Sequence, residues 1–169
     1  MSRGLICSQE IKATMVRKAE RKDIGRILEL LQEVLELHAK IRPDMFVSGT
    51  TKYSESDIEE ILKDELKPIY VAVDDKDEVL GHAFCKIEDR EGSDFLVKYK
   101  FIFIDDLCVG EQYRGRHIGK QLFEYVKEEA GRLGCYEVTL NVWEGNDNAI
   151  SFYEKIGMKT KERQMEYIL

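Results

Sequence analysis

Two carboxylates interrupt a run that is otherwise apolar: Phe101-Ile102-Phe103-Ile104-Asp105-Asp106-Leu107-Cys108-Val109. Burying such groups costs stability unless they are paired or open onto a cleft, and a carboxylate at a cleft can accept a proton. Strand alternation puts Asp105 with Phe103 and Leu107 on one face and Asp106 on the other, unless a bulge resets the pattern. The chain continues as Gly110-Glu111-Gln112-Tyr113-Arg114-Gly115-Arg116-His117-Ile118-Gly119-Lys120, a glycine-containing turn that leads into an amphipathic helix. Free N–H groups and the positive end of the helix dipole meet there with Arg114, Arg116 and Lys120, which is the outline of a phosphate cradle. The block is neither a P-loop nor a GxGxxG fingerprint. Cys7, Cys85, Cys108 and Cys135 form no CxxC pair, and His38, His82 and His117 lack metal-ligand spacing, so no metal site is expected. Cys108, in a buried strand, reads as a small hydrophobe, and His38 and His82 as packing or surface residues.

These groups need elements to hold them. A short strand over 15–19 is followed by the stripe Ile24, Ile27, Leu28, Leu31, Val34 and Leu35, a helix ended by Pro43. Ser54 or Ser56 caps a second helix carrying Ile58, Ile61, Leu62 and Leu66, which Pro68 stops. Residues 69–73 and 79–87 read as strands joined at Asp74-Asp75-Lys76-Asp77, and 95–109 as a longer strand. Ile118, Leu122, Val126, Ala130 and Leu133 mark the helix that follows, closed by Gly134. A strand over 137–142, a short helix over 146–155 stopped by Gly157 and a final hairpin arm over 158–169 complete a mixed α/β sheet with helices on its faces.

The 169 residues suit a single domain over 15–169, with 1–14 as a flexible arm. Only 12 Gly and 2 Pro are present and no repeat is visible, so a linker-rich or solenoid chain is excluded. The net charge of −7 disfavours nucleic acid as a partner and suits a cationic small molecule. No apolar run is long enough for a signal core or a membrane span. With no disulfide-like cysteine pattern, a cytoplasmic protein that does not bind membranes is expected.

Arg114-Gly115-Arg116-His117-Ile118-Gly119 resembles the Arg/Gln-x-x-Gly-x-Gly/Ala signature of the GNAT superfamily of acetyl-CoA-dependent N-acetyltransferases. About 30 residues on, Asn146-Asp147-Asn148-Ala149-Ile150-Ser151-Phe152-Tyr153-Glu154-Lys155-Ile156-Gly157-Met158 resembles its Asn-x-x-Ala-x-x-x-Tyr-Glu-Lys-x-Gly-Phe segment. One departure is His117, which stands where the signature has its first glycine, so the loop must accept a Cβ there. The resemblance implies a mostly antiparallel sheet splayed between two middle strands, with helices on both faces. It also implies that acetyl-CoA inserts its pantetheine arm between those strands. Backbone groups from Leu107 to Val109 would then meet pantetheine and the thioester. Arg114, Gly115, Arg116, His117, Ile118, Gly119 and Lys120 would hold the pyrophosphate, with Asn141 and Asn146 as secondary contacts. Asn146 is equally a helix cap.

Similar proteins imply roles for three side chains. Asp105, or Asp106, would remove a proton from the acceptor, Asp105 aligning with a residue implicated in proton removal through water. Tyr153 would protonate the departing thiolate, or else pack with Ile150 and Ile156. The expected activity is transfer of an acetyl group to a primary amine, a polyamine or other small amine, by a monomer or homodimer. A non-catalytic acyl-CoA-binding module is the alternative. The acidic run from Glu55 to Glu65 is either a solvated helix face or an attractor for a cationic acceptor.

Overall fold

The computed structural model describes residues 15–92 and 94–169, so the arm expected over 1–14 lies outside the described residues. Five strands, β1 (Met15–Lys18), β2 (Ile69–Val73), β3 (Val79–Arg90), β4 (Tyr99–Val109) and β5 (Glu137–Leu140), form one sheet in the order β1-β2-β3-β4-β5. The first three pairings are antiparallel and β4 with β5 is parallel. Helices α1 (Ile24–Ile41) and α2 (Glu55–Ile61) cover one face, and α3 (Ile118–Arg132) covers the other. The short helix α4 (Asp147–Lys155) follows β5 and meets the start of α3, where Gly119 lies against Phe152.

Local chemistry explains these elements. Ile24, Ile27, Leu30 and Leu31 turn one stripe of α1 into the sheet. Asp23 is buried just before it, accepting from Arg17 at 2.7 and 3.0 Å and from the Glu20 N–H at 2.7 Å. Of the two serines, Ser54 caps α2, in a reciprocal box with Asp57. The β2–β3 turn closes on Asp74, which accepts from the N–H groups of Lys76 and Glu78 at 2.9 Å each.

Two expected strand limits move. The last rung of the β3–β4 ladder pairs Arg90 with Tyr99, so Phe95 and Val97 lie in the exposed hairpin loop rather than in the strand. Residues 158–169 form no strand, and β5 is the sheet edge. Met165, Tyr167, Ile168 and Leu169 are exposed, and the segment is tied down by Lys161 to Glu137 and by Arg42 to Glu166. Among the described residues, no helix is long and apolar enough to cross a membrane.

Two features shape the functional end of the sheet. β4 pairs with β5 only from Phe101 to Ile104, while it pairs with β3 as far as Val109. Residues 105–109 therefore present one edge without a strand partner, and the two parallel strands part there. At the same place the β3–β4 register shifts: Phe84 faces Asp106 and Cys85 faces Ile104. Asp105 is the extra residue of a β-bulge.

Candidate active site

The bulge overturns the simple alternation of β4. Ile102 and Ile104 before it, and Leu107 and Val109 after it, all pack on the α3 side, whereas Cys108 packs on the α1 side. Both aspartates consequently turn toward α1 and α2, where they meet different partners. Asp105 Oδ2 accepts from Lys52 Nζ at 2.7 Å and from the Tyr53 hydroxyl at 3.3 Å, and its Oδ1 accepts from Lys86 Nζ at 2.8 Å. Burial pushes the Asp105 carboxyl up, but the hydrogen bonds from Lys52 and Lys86 outweigh it and leave the pKa lowered. A carboxylate engaged in this way is a weak proton acceptor. Asp106 has no ammonium bonded to it. Its side chain is 9% exposed, and its Oδ2 lies 3.5 Å from Nε2 of the fully buried His82.

Tyr153 projects from α4 within electrostatic reach of Asp106 and Cys108. Burial first, and then these two groups, drive its phenol above the ordinary tyrosine value, which keeps it protonated. Ile156 joins the apolar cluster on the α3 side and Phe152 packs on Gly119, but Tyr153 belongs to neither buried cluster. Tyr153 packs edge-on against Phe152, with ring centroids 5.1 Å apart.

Gly115 has φ +76° and open space where a Cβ would stand. Arg114, Gly115, Arg116, His117 and Lys120 are exposed, while Ile118 is buried in the core. Among the described residues, no acceptor is bonded to the N–H groups of residues 115–120; the first bond of α3 runs from the Gln121 N–H to the His117 carbonyl at 3.0 Å. Donors of this kind, at the mouth of a 15-residue helix with open space over Gly115, fit an anionic pyrophosphate. His117 takes the left-handed conformation, φ +63°, so it carries a Cβ where glycine is favoured. Gly119 has a packing reason instead: a Cβ there would stand 3.3 Å from the Phe152 ring. Arg114 Nε donates to the Val109 carbonyl at 3.0 Å, at the end of the strand. Leu107 sits half-buried on the unpaired stretch of β4. Asn141 is exposed just past β5, and Asn146 caps α4 by accepting from the Ala149 N–H at 3.3 Å.

Several neighbours were not singled out by the sequence. The loop between α1 and α2 is pinned by Glu36, which accepts from Ser48 Oγ and the Gly49 N–H at 2.6 Å each, and this loop delivers Lys52 and Tyr53. His38, Phe46 and Trp143 form an aromatic row with centroids 5.2 and 5.4 Å apart, and Arg42 stacks on Trp143. The acidic run is largely occupied elsewhere: Glu59 pairs with Arg21, Glu60 with Lys63, Asp64 with Lys67, and Asp57 completes the Ser54 cap.

This fold has known counterparts. The chain belongs to the Acetyltransferase (GNAT) family, whose model matches residues 31–158. It is 27% identical over 152 residues to thialysine N-epsilon-acetyltransferase of Bos taurus, covering 85% of this chain and 82% of that one. It is 30% identical over 97 residues to glucosamine 6-phosphate N-acetyltransferase of Arabidopsis thaliana, covering 50% of this chain and 63% of that one. This chain thus spans less than two thirds of the length of the Arabidopsis relative. The crystal structure of a mutant BH1408 protein from Bacillus halodurans superposes with a TM-score of 0.88 at 27% identity, covering 92% of this chain and 99% of that one.

Proposed function

We propose that this protein transfers the acetyl group of acetyl-CoA to a small primary amine by direct attack, with no covalent enzyme intermediate. The observation that carries the proposal is the convergence, where β4 and β5 part, of an unpaired strand edge, the Asp106 carboxylate and the Tyr153 phenol beside the open N-terminus of α3. Acetyl-CoA supplies the activated thioester. The N–H groups of residues 115–120, with Arg116 and Lys120 close by, would hold its pyrophosphate. The free edge of β4 at Leu107 would align its pantetheine arm.

Asp106 is the proton acceptor in this reading and Asp105 the anchor for Lys52 and the α1–α2 loop, since two ammonium groups already occupy Asp105. Tyr153 protonates the thiolate. Burial pushes the thiols of Cys85 and Cys108 up to about 12, which leaves negligible thiolate at neutral pH and supports direct attack over an acyl-cysteine route.

For the acceptor, the names of the relatives point to amines on small molecules, an amino sugar phosphate and a lysine analogue. Because Glu59, Glu60 and Asp64 of the acidic run already pair with Arg21, Lys63 and Lys67, and Asp57 closes the Ser54 cap, the run gives little support to a polyamine over other small amines. The test is thiol release from acetyl-CoA against polyamines, amino acids, glucosamine 6-phosphate and lysine peptides. Turnover with one small amine supports the proposal. CoA binding without turnover on any of them would make the chain an acyl-CoA-binding module.

A further inference from the structure

Among the described residues, the two ring nitrogens of His82 are the only buried side-chain nitrogen or oxygen atoms with no hydrogen-bond partner within the chain. A buried polar atom left in this state carries a desolvation cost that nothing returns. His82 lies inside β3, directly opposite Cys108, and its exposure is zero. Phe84 closes one side of the ring edge-on at 5.2 Å, and Phe84 in turn stacks on Tyr53 at 5.6 Å. The carboxylate of Asp106 approaches the ring, with Oδ2 3.5 Å from Nε2. That separation lies just beyond a normal hydrogen bond, the loose geometry that catalytic contacts show before a ligand tightens them.

The two side chains differ in access. Asp106 keeps a small exposed surface, and His82 has none. The imidazole is therefore able to exchange a proton only through the carboxylate. The other titratable or charged groups that face the pair are His38 from α1, Lys52 and Tyr53 from the α1–α2 loop, Asp105 and Cys108 from β4, and Tyr153 from α4. Cys108 is occupied, its Sγ donating to the Leu30 carbonyl at 3.6 Å, and Lys52 is committed to Asp105.

We propose that His82 is a positioning residue that makes Asp106 and itself one proton-accepting pair. The proposal rests on the acetyltransferase reading above. An acceptor ammonium gives its N–H proton to Asp106, and the proton is then shared between Oδ2 and Nε2 as an imidazolium–carboxylate pair. The freed amine lone pair forms the C–N bond to the thioester carbon. When the tetrahedral adduct collapses, the C–S electron pair leaves on sulfur, which takes the Tyr153 hydroxyl proton. The second proton of the attacking nitrogen returns to the Tyr153 oxygen through water. The proton held by the pair leaves through Asp106 to solvent, so one proton is released per acetyl group transferred.

The test combines a direct titration with kinetics. Protein labelled with 15N-histidine is titrated by NMR, the His82 signals being assigned by their loss in His82→Gln. Asp106→Asn removes the carboxylate that Nε2 faces, so the pH dependence of the His82 ring signals should differ between the two proteins. Superimposable His82 curves in wild type and Asp106→Asn overturn the pairing. This readout needs no turnover and can be made on wild-type and Asp106→Asn protein even if His82→Gln folds poorly, since the assignment can instead come from His38→Gln and His117→Gln by elimination. If the pairing is found but no amine is acetylated, the acetyltransferase reading has failed and His82 has no proton-accepting role in it. Where turnover occurs, His82→Gln should lower kcat about 10-fold or more and displace the acidic limb of the kcat/KM profile, with the KM for acetyl-CoA within twofold. Wild-type kcat with an unmoved acidic limb would overturn the role even if the two groups titrate together.

Discussion

Lys52 reaches from the loop between α1 and α2 to place its Nζ 2.7 Å from Asp105 Oδ2, while Asp106, the next residue, has no cation bonded to it. One carboxylate thereby fixes the loop and its neighbour is left open to chemistry. The two asparagine variants should separate these roles. Asp106→Asn is expected to lower kcat by about 10² or more with little change in melting temperature. Asp105→Asn should raise the acceptor KM and lower the melting temperature, with kcat falling less than in Asp106→Asn. Steady-state kinetics with thermal melts check both, and equal kcat losses in the two variants would contradict the division.

The same ion pairs set a pH dependence. Hydrogen bonds from Lys52 and Lys86 leave the Asp105 carboxyl below its ordinary value despite the opposing effect of burial. A carboxyl whose folded pKa is lowered contributes stability that is present above its unfolded value, about 3.9, and is lost as pH falls through the folded value. The melting-temperature gap between wild type and Asp105→Asn should therefore be constant above about pH 5 and shrink below about pH 4. A gap that stays constant down to pH 2 would mean that the ion pairs contribute nothing.

His117 and Gly119 make opposite demands on the loop before α3. His117 sits at φ +63°, a conformation that costs a residue with a Cβ about 1 kcal/mol and glycine little. His117→Gly should keep or raise stability by up to about 1 kcal/mol, and His117→Val should lower it. CoA affinity then reports on the imidazole itself: weaker binding in His117→Gly makes it a phosphate donor, tighter binding an obstacle. Gly119→Ala places a Cβ 3.3 Å from a ring that can give slightly, whereas Gly119→Leu must displace Phe152 and with it α4. Overpacking of that kind costs about 1 to 3 kcal/mol and should lower CoA affinity and kcat together. Calorimetry with CoA and a melt of each variant provide the check.

Much of this site is legible in the sequence because it is built from local signals. The α1 stripe, the Ser54 box, the glycine stops and the turn before α3 each follow from residues within one or two turns of one another. The orientation of Asp105 and Asp106 is not local. It depends on where β3 slips by one residue against β4, and nothing within 101–109 announces that shift. The partners of the two aspartates are equally distant in sequence: Lys52 lies 53 residues before Asp105, and His82 lies on the neighbouring strand. A lone histidine in an apolar strand reads as packing until its strand partner is known. Residues 158–169 mislead for a related reason, since strand formation needs a partner edge as well as a suitable composition.

Tyr153 offers the sharpest separation of chemistry from packing. Its phenol is held protonated by burial and by Asp106 and Cys108, and its hydroxyl makes no hydrogen bond within the described residues. Its neighbour Phe152 supplies the contact between α4 and Gly119, so the attachment of the helix does not depend on the hydroxyl. Tyr153→Phe keeps the ring, including the edge-on contact with Phe152 at 5.1 Å, and removes only the proton donor. A general acid contributes about 10² to 10⁴-fold, so kcat should fall by at least the lower figure. CoA affinity and melting temperature should stay nearly unchanged, because no bond that holds α4 or the pyrophosphate loop is lost. The loss should also depend on the leaving group: a thioester of a more acidic thiol needs less help from an acid, and its turnover should suffer less from the substitution. Stopped-flow or steady-state thiol release with acetyl-CoA and with such an analogue measures the difference. Wild-type turnover in Tyr153→Phe, or an equal loss with both thioesters, would hand proton delivery to water and leave the phenol as part of the wall.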